Sequence, residues 1–208
     1  MSRSTILIGY SGHAFVAADI ICSMGYELAG YCEREEKKLN PFGLSFYGSE
    51  DSKTGLEVLK KHSYFIAIGD NHIRQKVSLQ LATKGLPSPM LIQHPSAVVG
   101  WGVTLSPGVM IGANASINAL ASIGQGVICN TGCIIEHECQ IGDFVHIAPG
   151  AVLAGNVEVG EGTFIGANTV IKQGIKIGKW STIGAGSVII KDIPEGVTII
   201  GNPGRKLR

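Results

Sequence analysis

His137 stands between two glutamates in Ile135-Glu-His137-Glu138-Cys139, and His146 follows nine residues later in His146-Ile-Ala-Pro-Gly150. Imidazole titrates near neutrality, so either ring could take the proton from a hydroxyl or ammonium group that must become a nucleophile. A glutamate on either side stands ready to pair with that imidazole. Successive residues of a strand point to opposite faces, so such a pairing requires a corner of the chain. A second set lies near the N-terminus. Gly9-Tyr-Ser-Gly12-His13 ends an apolar run and opens a helical pattern. Backbone N–H groups at a helix start can receive a phosphate, although the full GxGxxG dinucleotide fingerprint is missing. Gly69, Asn71 and Arg74 follow a later apolar run, at a strand end where ligands of open α/β sheets collect.

Metal chemistry is less well supported. The five cysteines, Cys22, Cys32, Cys129, Cys133 and Cys139, are an odd number with no CxxC pair, which argues against a disulfide framework or a zinc site. We read Cys129, Cys133 and Cys139 as small buried side chains. A zinc lyase would need three converging histidines, and only His137 and His146 fall in the regular repeat described below. No metal is expected.

Two grammars position these residues. Up to residue 94, short apolar runs alternate with helical patterns. Strands are expected at 5–9, 27–32, 64–68 and 90–93. Helices are expected at 13–24, 52–61 (Leu56 and Leu59 inward) and 71–84 (Ile73, Val77 and Leu81 on one face). Gly25 and Gly85 stand as helix stops. This alternation predicts a small Rossmann-like parallel sheet with crossover helices.

From residue 95 an aliphatic residue recurs every six positions, from Val99 through Leu105, Ile111 and onward to Ile189. All sixteen positions are Val, Leu or Ile except Cys129. A period of six is neither helical nor that of a plain strand. It fits a triangular prism in which three hexads make one eighteen-residue coil and stacked coils pair about 4.8 Å apart. The aliphatic residue fills the prism. The small or β-branched residue four places on (Ala115, Val127, Ala151, Thr163) accompanies it, and the glycine that often follows it permits the corner. Coil ends need caps; the N-terminal domain and the tail after Ile190 can supply them. We divide the chain at 1–94, 95–190 and 191–208. Spacing also predicts that Gly155, eighteen residues after His137, stacks beside it and leaves a groove. His137 and His146, half a coil apart, fall on opposite sides of one prism. They can share a site only between neighbouring subunits.

Of the 208 residues 45% are hydrophobic and 16% charged, with a net charge of +1. This supports a sizeable core and argues against a nucleic-acid groove or an acidic membrane surface as partner. The first apolar run is far too short to cross a bilayer, and the chain is expected to be cytoplasmic.

The motifs quoted above, with Phe65-Ile-Ala-Ile-Gly69-Asp-Asn71-x-x-Arg74 and Ala154-Gly155-Asn156, resemble the bacterial sialic acid O-acetyltransferase family of hexapeptide-repeat enzymes. The resemblance is nearest to the branch that N-acetylates UDP-linked 4-amino sugars in bacillosamine synthesis. It implies a left-handed β-helix, where the general crossover rule would give a right-handed one. It also implies a homotrimer and acetyl-coenzyme A as acetyl donor. By resemblance His137 is the general base and Glu138 polarises it. His146 hydrogen-bonds the acetyl carbonyl or the cofactor. Gly155 lines the pantetheine path, and Ala167 and Ala185 lie nearer the adenine. Gly12, His13, Gly69, Asn71 and Arg74 meet the nucleotide sugar, and Asn130 meets the sugar in the β-helix. Glu33 matches one of an acidic pair that binds uridine, but Arg34 departs from it. The terminal Gly201-Asn-Pro203-Gly204-Arg205 resembles the family's closing motif, with Gly204 in place of Ala. O-acetylation of sialic acid or another sugar hydroxyl is the alternative within the class. A non-catalytic nucleotide-sugar-binding protein is the alternative outside it.

Overall fold

The computed structural model describes residues 4–207. It begins with strand β1 (Ser4–Ile8), helix α1 (Gly12–Ser23), β2 (Glu27–Cys32), β3 (Ser45–Phe46), α2 (Lys53–Lys61), β4 (Ser63–Ile66) and α3 (Asn71–Thr83). The four strands form one parallel sheet in the order β3-β2-β1-β4. Ile6, Leu7 and Ile8 of the central strand are fully buried. Both faces of β1 are covered, which explains its unbroken apolar run. Ser52 caps α2 by accepting from the Gly55 N–H, and Asp70 caps α3 by accepting from the Ile73 N–H. Each oxygen satisfies one of the donors that a helix start leaves free.

Strand β5 (Ile92–Gln93) departs from expectation. It pairs in parallel with Met110–Ile111, in the second half, and not with the N-terminal sheet. It therefore opens the coil stack ahead of residue 95. Gln93 takes the inward register position that Ile111 takes one coil later, so the aliphatic series does not show it. Helix α3 differs in one residue: Val77 and Leu81 are buried, but Ile73 is half exposed and looks into the cleft described below.

Sixteen two-residue strands follow, from Val98–Val99 to Val188–Ile189, one at each hexad. They form three parallel faces. The first face contains Met110–Ile111, Ile128–Cys129, His146–Ile147, Phe164–Ile165 and Thr182–Ile183. The second runs from Val98–Val99 to Val188–Ile189, and the third from Thr104–Leu105 to Lys176–Ile177. Register is eighteen residues per coil, as in Ile128↔His146 and Cys129↔Ile147. The second residue of each strand points inward and packs with the small residue four places on. Cys129, Cys133 and Cys139 are buried there, and burial helps to push the Cys129 and Cys139 thiols up. Where the small inward residue is polar it is bonded to the next coil: the Thr163 hydroxyl donates to the Gly178 carbonyl at 2.7 Å.

The corners work differently from expectation. The residue with left-handed φ comes three places after the aliphatic one, as Asn114, Leu120, Glu138, Phe144, Asn156, Asn168 and Trp180 do. The glycine directly after the aliphatic residue serves the stacking of coils. A Cβ on Gly142 would stand 2.7 Å from the Glu161 nitrogen, and one on Gly166 would stand 2.5 Å from that of Ala185.

The stack also runs past residue 190. Thr198–Ile200 pairs with Thr182–Ile183, and Ile177 bridges Ile193. Both pairs are sixteen residues apart, so the last coil is two residues short. That explains why the hexad register is lost there. Arg205–Lys206 folds back antiparallel on Thr198–Ile200 and closes the end. None of the described helices is long and apolar enough to cross a membrane.

The N-terminal domain covers the first face. Met110 and Ile128 join the core formed by α1 and β5. The outward residues of the second face are mostly apolar (Val98, Ile134, Val152, Val170, Val188), and those of the third are polar (Gln140, Glu158, Lys176).

Candidate active site

His137 and Glu138 form the corner between the second and third faces. Glu138 sits in the left-handed conformation, φ 62°, with its N–H donating to the Ala119 carbonyl of the preceding coil at 3.0 Å. That conformation turns its side chain back along the corner, and Oε2 lies 3.0 Å from His137 Nδ1. This is the corner geometry the pairing requires. A carboxylate only accepts, so Nδ1 carries the ring hydrogen and Nε2 keeps its lone pair. Both side chains are more than half exposed, so that lone pair is open to a ligand. One coil on, a Cβ at Gly155 would stand 2.5 Å from His137 Nε2. The imidazole occupies the space that a side chain at 155 would fill.

His146 takes a different position. It starts a strand of the first face and points outward beneath the N-terminal domain, 8% exposed. Nδ1 is 3.3 Å from the Gly69 carbonyl oxygen, and Nε2 is 3.2 Å from Asn130 Nδ2. Phe164, one coil on, meets its ring edge-on at 5.1 Å. The His13 ring lies 6.0 Å away, and its Nε2 is buried without a hydrogen-bond partner. Burial, then the nearby Arg74 charge, lowers His146 to about 3 and His13 to about 4. Both rings are neutral at physiological pH.

Asn71 and Arg74, expected at the nucleotide sugar, are engaged by the protein itself. Arg74 is 1% exposed. Its Nε donates to Gly126 O at 2.8 Å, Nη1 to Ile68 O and Gly69 O at 3.0 and 3.1 Å, and Nη2 to Asn71 Oδ1 and Phe144 O at 2.8 and 2.9 Å. All five N–H groups are used. Asn71 Nδ2 donates to Gly162 O and Thr163 O. The pair clamps α3 to the corners between the third and first faces, and neither has a donor left for a ligand in the cleft. Burial lowers Arg74 to about 9, so it remains charged. The spacing Gly69-x-Asn71-x-x-Arg74 could not show that the strand end faces a second domain.

A cleft of about 650 Å³ opens at the carboxyl ends of β1, β2 and β4, lined among others by Gly9, Ser11, Glu33, Arg34 and Asp70. Gly12 is exposed at the first turn of α1 with open space around it. The Glu33 carboxylate accepts from Tyr10 N at 3.3 Å and Arg34 N at 3.0 Å, and pairs with Lys37 at 3.5 Å. It therefore ties loops together at the rim. Asn130 lies on the first-to-second-face corner with its carboxamide engaged by His146 and by the Thr131 N–H. Ala167 and Ala185 lie on that same edge, where Ala167 O accepts from Gly186 N. Gly155 lies on the other edge of the second face. One chain thus separates the expected cofactor residues into two groups. Phe164 and Trp180, which stacks on His72 at 4.1 Å, were not singled out from sequence. The outward place in each hexad is the signal that could have found Phe164. Among the described residues, no group of three His, Cys, Asp or Glu side chains is placed to hold a metal ion.

Residues 5–81 match the family described as the PglD N-terminal domain, and residues 156–191 match the bacterial transferase hexapeptide repeats. Perosamine N-acetyltransferase from Caulobacter crescentus, solved with CoA and GDP-perosamine, is 34% identical. The match covers 99% of this chain and 97% of that one, with a TM-score of 0.92. The acetyltransferase domain of PglB from Neisseria gonorrhoeae, solved with acetyl coenzyme A, is 30% identical over all of both chains, with a TM-score of 0.90. WeeI from Acinetobacter baumannii is 25% identical over 98% of this chain and 99% of that one, with a TM-score of 0.87. A small parallel α/β domain leading into stacked hexapeptide coils is common ground between these findings and the architecture above. The chain therefore belongs to the hexapeptide-repeat sugar N-acetyltransferase family, acyltransferases built on a left-handed β-helix.

Proposed function

We propose that this protein transfers the acetyl group of acetyl-coenzyme A to the 4-amino group of a UDP-linked amino-dideoxy sugar in bacterial glycan synthesis. The observation that carries the reading is the exposed His137 Nε2, its lone pair set by the Nδ1–Glu138 contact of 3.0 Å. His137 takes a proton from the acceptor's neutral amine as its nitrogen attacks the thioester carbonyl. Glu138 stabilises the imidazolium that forms. As the tetrahedral intermediate collapses, the imidazolium returns its proton to the departing sulfur, and CoA leaves as its thiol. The cleft at the strand ends receives the nucleotide, with the exposed start of α1 at Gly12 suited to a diphosphate. UDP is the carrier that the quoted motifs imply. A GDP-linked sugar is the competing carrier, because the Caulobacter relative was solved with GDP-perosamine. The five free cysteines, four of them buried, suit a reducing compartment such as the cytoplasm.

The assembly that completes the site is a homotrimer. Of the three prism faces, the first is covered by the N-terminal domain and the third is polar. The second carries exposed Val98 and Val170 and an apolar stripe between them, as an interface core would. Packing three copies through this face around one axis brings the His137–Gly155 edge of one copy to the Ala167–Ala185 edge of the next. The two groups of cofactor residues then face one cleft.

The test is free-thiol release from acetyl-coenzyme A with UDP-linked and GDP-linked 4-amino-4,6-dideoxy sugars and with sialic acid, His137→Ala run alongside. Fast turnover of the UDP sugar, lost in the variant, supports the proposal. Turnover of the GDP sugar alone changes the carrier, and turnover of sialic acid alone moves the reaction to O-acetylation. Undiminished activity in His137→Ala refutes the assignment of the base.

A further inference from the structure

We propose that Lys172 and Lys191 hold the diphosphate of acetyl-coenzyme A and so fix which way along the β-helix the acyl donor lies. The inference rests on the reading of the His137–Gly155 edge as the site of acyl transfer, and adds the two cations at its far end.

The corner between the second and third faces recurs in every coil. Two places after the inward residue it carries in turn Trp101, Ala119, His137, Gly155, Gln173 and Lys191. Backbone bonds tie these corners together: Asn156 N donates to His137 O at 2.8 Å, and Gly174 N to Gly155 O at 3.0 Å. Charge is sorted along this edge. Glu136 and Glu138 flank His137, the Gly155 coil is neutral there, and Lys172 and Lys191 follow one and two coils beyond Gly155. Both lysines are exposed. Among the described residues neither pairs with a carboxylate, whereas Lys176 pairs with Glu158 at 2.9 Å and Lys179 with Glu161 at 3.7 Å.

Reach selects the group that these lysines meet. Coils stack about 4.8 Å apart, so Lys191, three coils beyond His137, stands about 14 Å along the edge. About thirteen bonds separate the sulfur of coenzyme A from its nearer phosphorus, and an extended chain covers three bonds in about 3.5 Å, so the arm spans about 15 Å. Lys172 leans the same way. Its place in the hexad is that of Gly100, where a Cβ would stand 2.8 Å from the nitrogen of Ala119 in the next coil. The matching residue of the next coil after Lys172 is Lys191, so the Lys172 side chain sets out toward it. An ammonium group is a point charge suited to a phosphate, and two of them match the two charges of a diphosphate. Laid the other way, the arm would run from His137 toward Ala119 and Trp101, where the edge offers no cation. Ala167 and Ala185, on the facing edge of the next copy, are neutral, so the countercharge comes from this edge.

The experiment is calorimetric titration of acetyl-coenzyme A, and of its 3′-dephospho form, into the intact protein without sugar. Lys172→Gln and Lys191→Gln are each expected to weaken binding roughly fivefold, the worth of one exposed charge pair, and the double variant should bind more weakly than either. The loss should be the same for the dephospho form, which keeps the diphosphate. Arginine at either position should retain the affinity. Added salt should weaken binding to the wild type and change the double variant less. Lys179→Gln, at a different edge of the prism, should bind as the wild type does. Undiminished binding in the double variant overturns the proposal. So does a loss confined to the form that bears the 3′-phosphate, or an equal loss in Lys179→Gln. The titrations need no sugar, so a failed acceptor assignment leaves this result standing. Lysine variants that bind normally, beside thiol release that still depends on His137, would strike the two lysines and leave the base in place.

Discussion

The His137 imidazole lies where a side chain at Gly155 would be: a Cβ there would stand 2.5 Å from both Nε2 and Cε1. Eighteen residues of chain separate the two, and one turn of the coil brings them into contact. The base and the residue beside it are therefore a single unit, and a methyl group at 155 must move the ring.

Gly155→Ala is expected to leave the β-helix folded, since the nearest atoms the added methyl would meet belong to the half-exposed His137 ring, and to lower kcat/KM by about 100-fold. Displacing a reacting group by about 1 Å costs that much. Thiol-release kinetics beside a thermal melt check it. Unchanged kinetics would mean that the ring relaxes away from the added methyl without loss.

His137→Ala is expected to lower kcat by about 100- to 10,000-fold, the usual contribution of a general base. Glu138→Gln, which keeps the size but loses the acceptor-only carboxylate, should cost less, roughly tenfold. The double variant should be no slower than His137→Ala, because Glu138 acts through the ring. A further loss in the double variant would assign Glu138 an independent role.

Arg74→Met removes the donors to four buried carbonyl oxygens and the Asn71 amide. We expect a loss of about 3 kcal/mol, seen as a thermal midpoint lower by roughly 6 to 12 °C. The loss should appear before any effect on nucleotide binding is resolved. Weakened nucleotide binding at unchanged stability would restore Arg74 to the ligand cleft.

His13 and His146 make the protein sensitive to acid. Their folded pKa values, about 4 and about 3, lie below the unfolded value of 6.5. Between those values the unfolded chain binds more protons, so stability is complete above about pH 6.5 and falls as the pH drops toward 4. Each ring contributes a slope of about 1.4 kcal/mol per pH unit. Urea unfolding at pH 7, 6 and 5 measures the slope, and His13→Gln should remove about half of it. A slope unchanged in that variant would mean that other groups control acid unfolding.

Val170→Glu places a charge on the apolar second face. We expect sedimentation to show a shift from trimer to smaller species, with thiol release lost in parallel. A fully active monomer would refute a site shared between subunits.

The period-six pattern determined the β-helix, its eighteen-residue register and the contact between His137 and Gly155, because each inward aliphatic residue is written into the repeat. Helix stops and apolar runs likewise marked the α/β sheet. Three matters were decided only by tertiary structure. Gln93 is polar, so the strand that opens the stack carries no aliphatic mark. The last coil is two residues short, so the tail's place in the stack is invisible to a search for sixes. Most consequential, Asn71 and Arg74 end a strand where ligands usually bind, yet their donors point at the β-helix. A hydrogen bond to a backbone carbonyl of another domain depends on how the two domains meet, and local sequence does not encode that meeting.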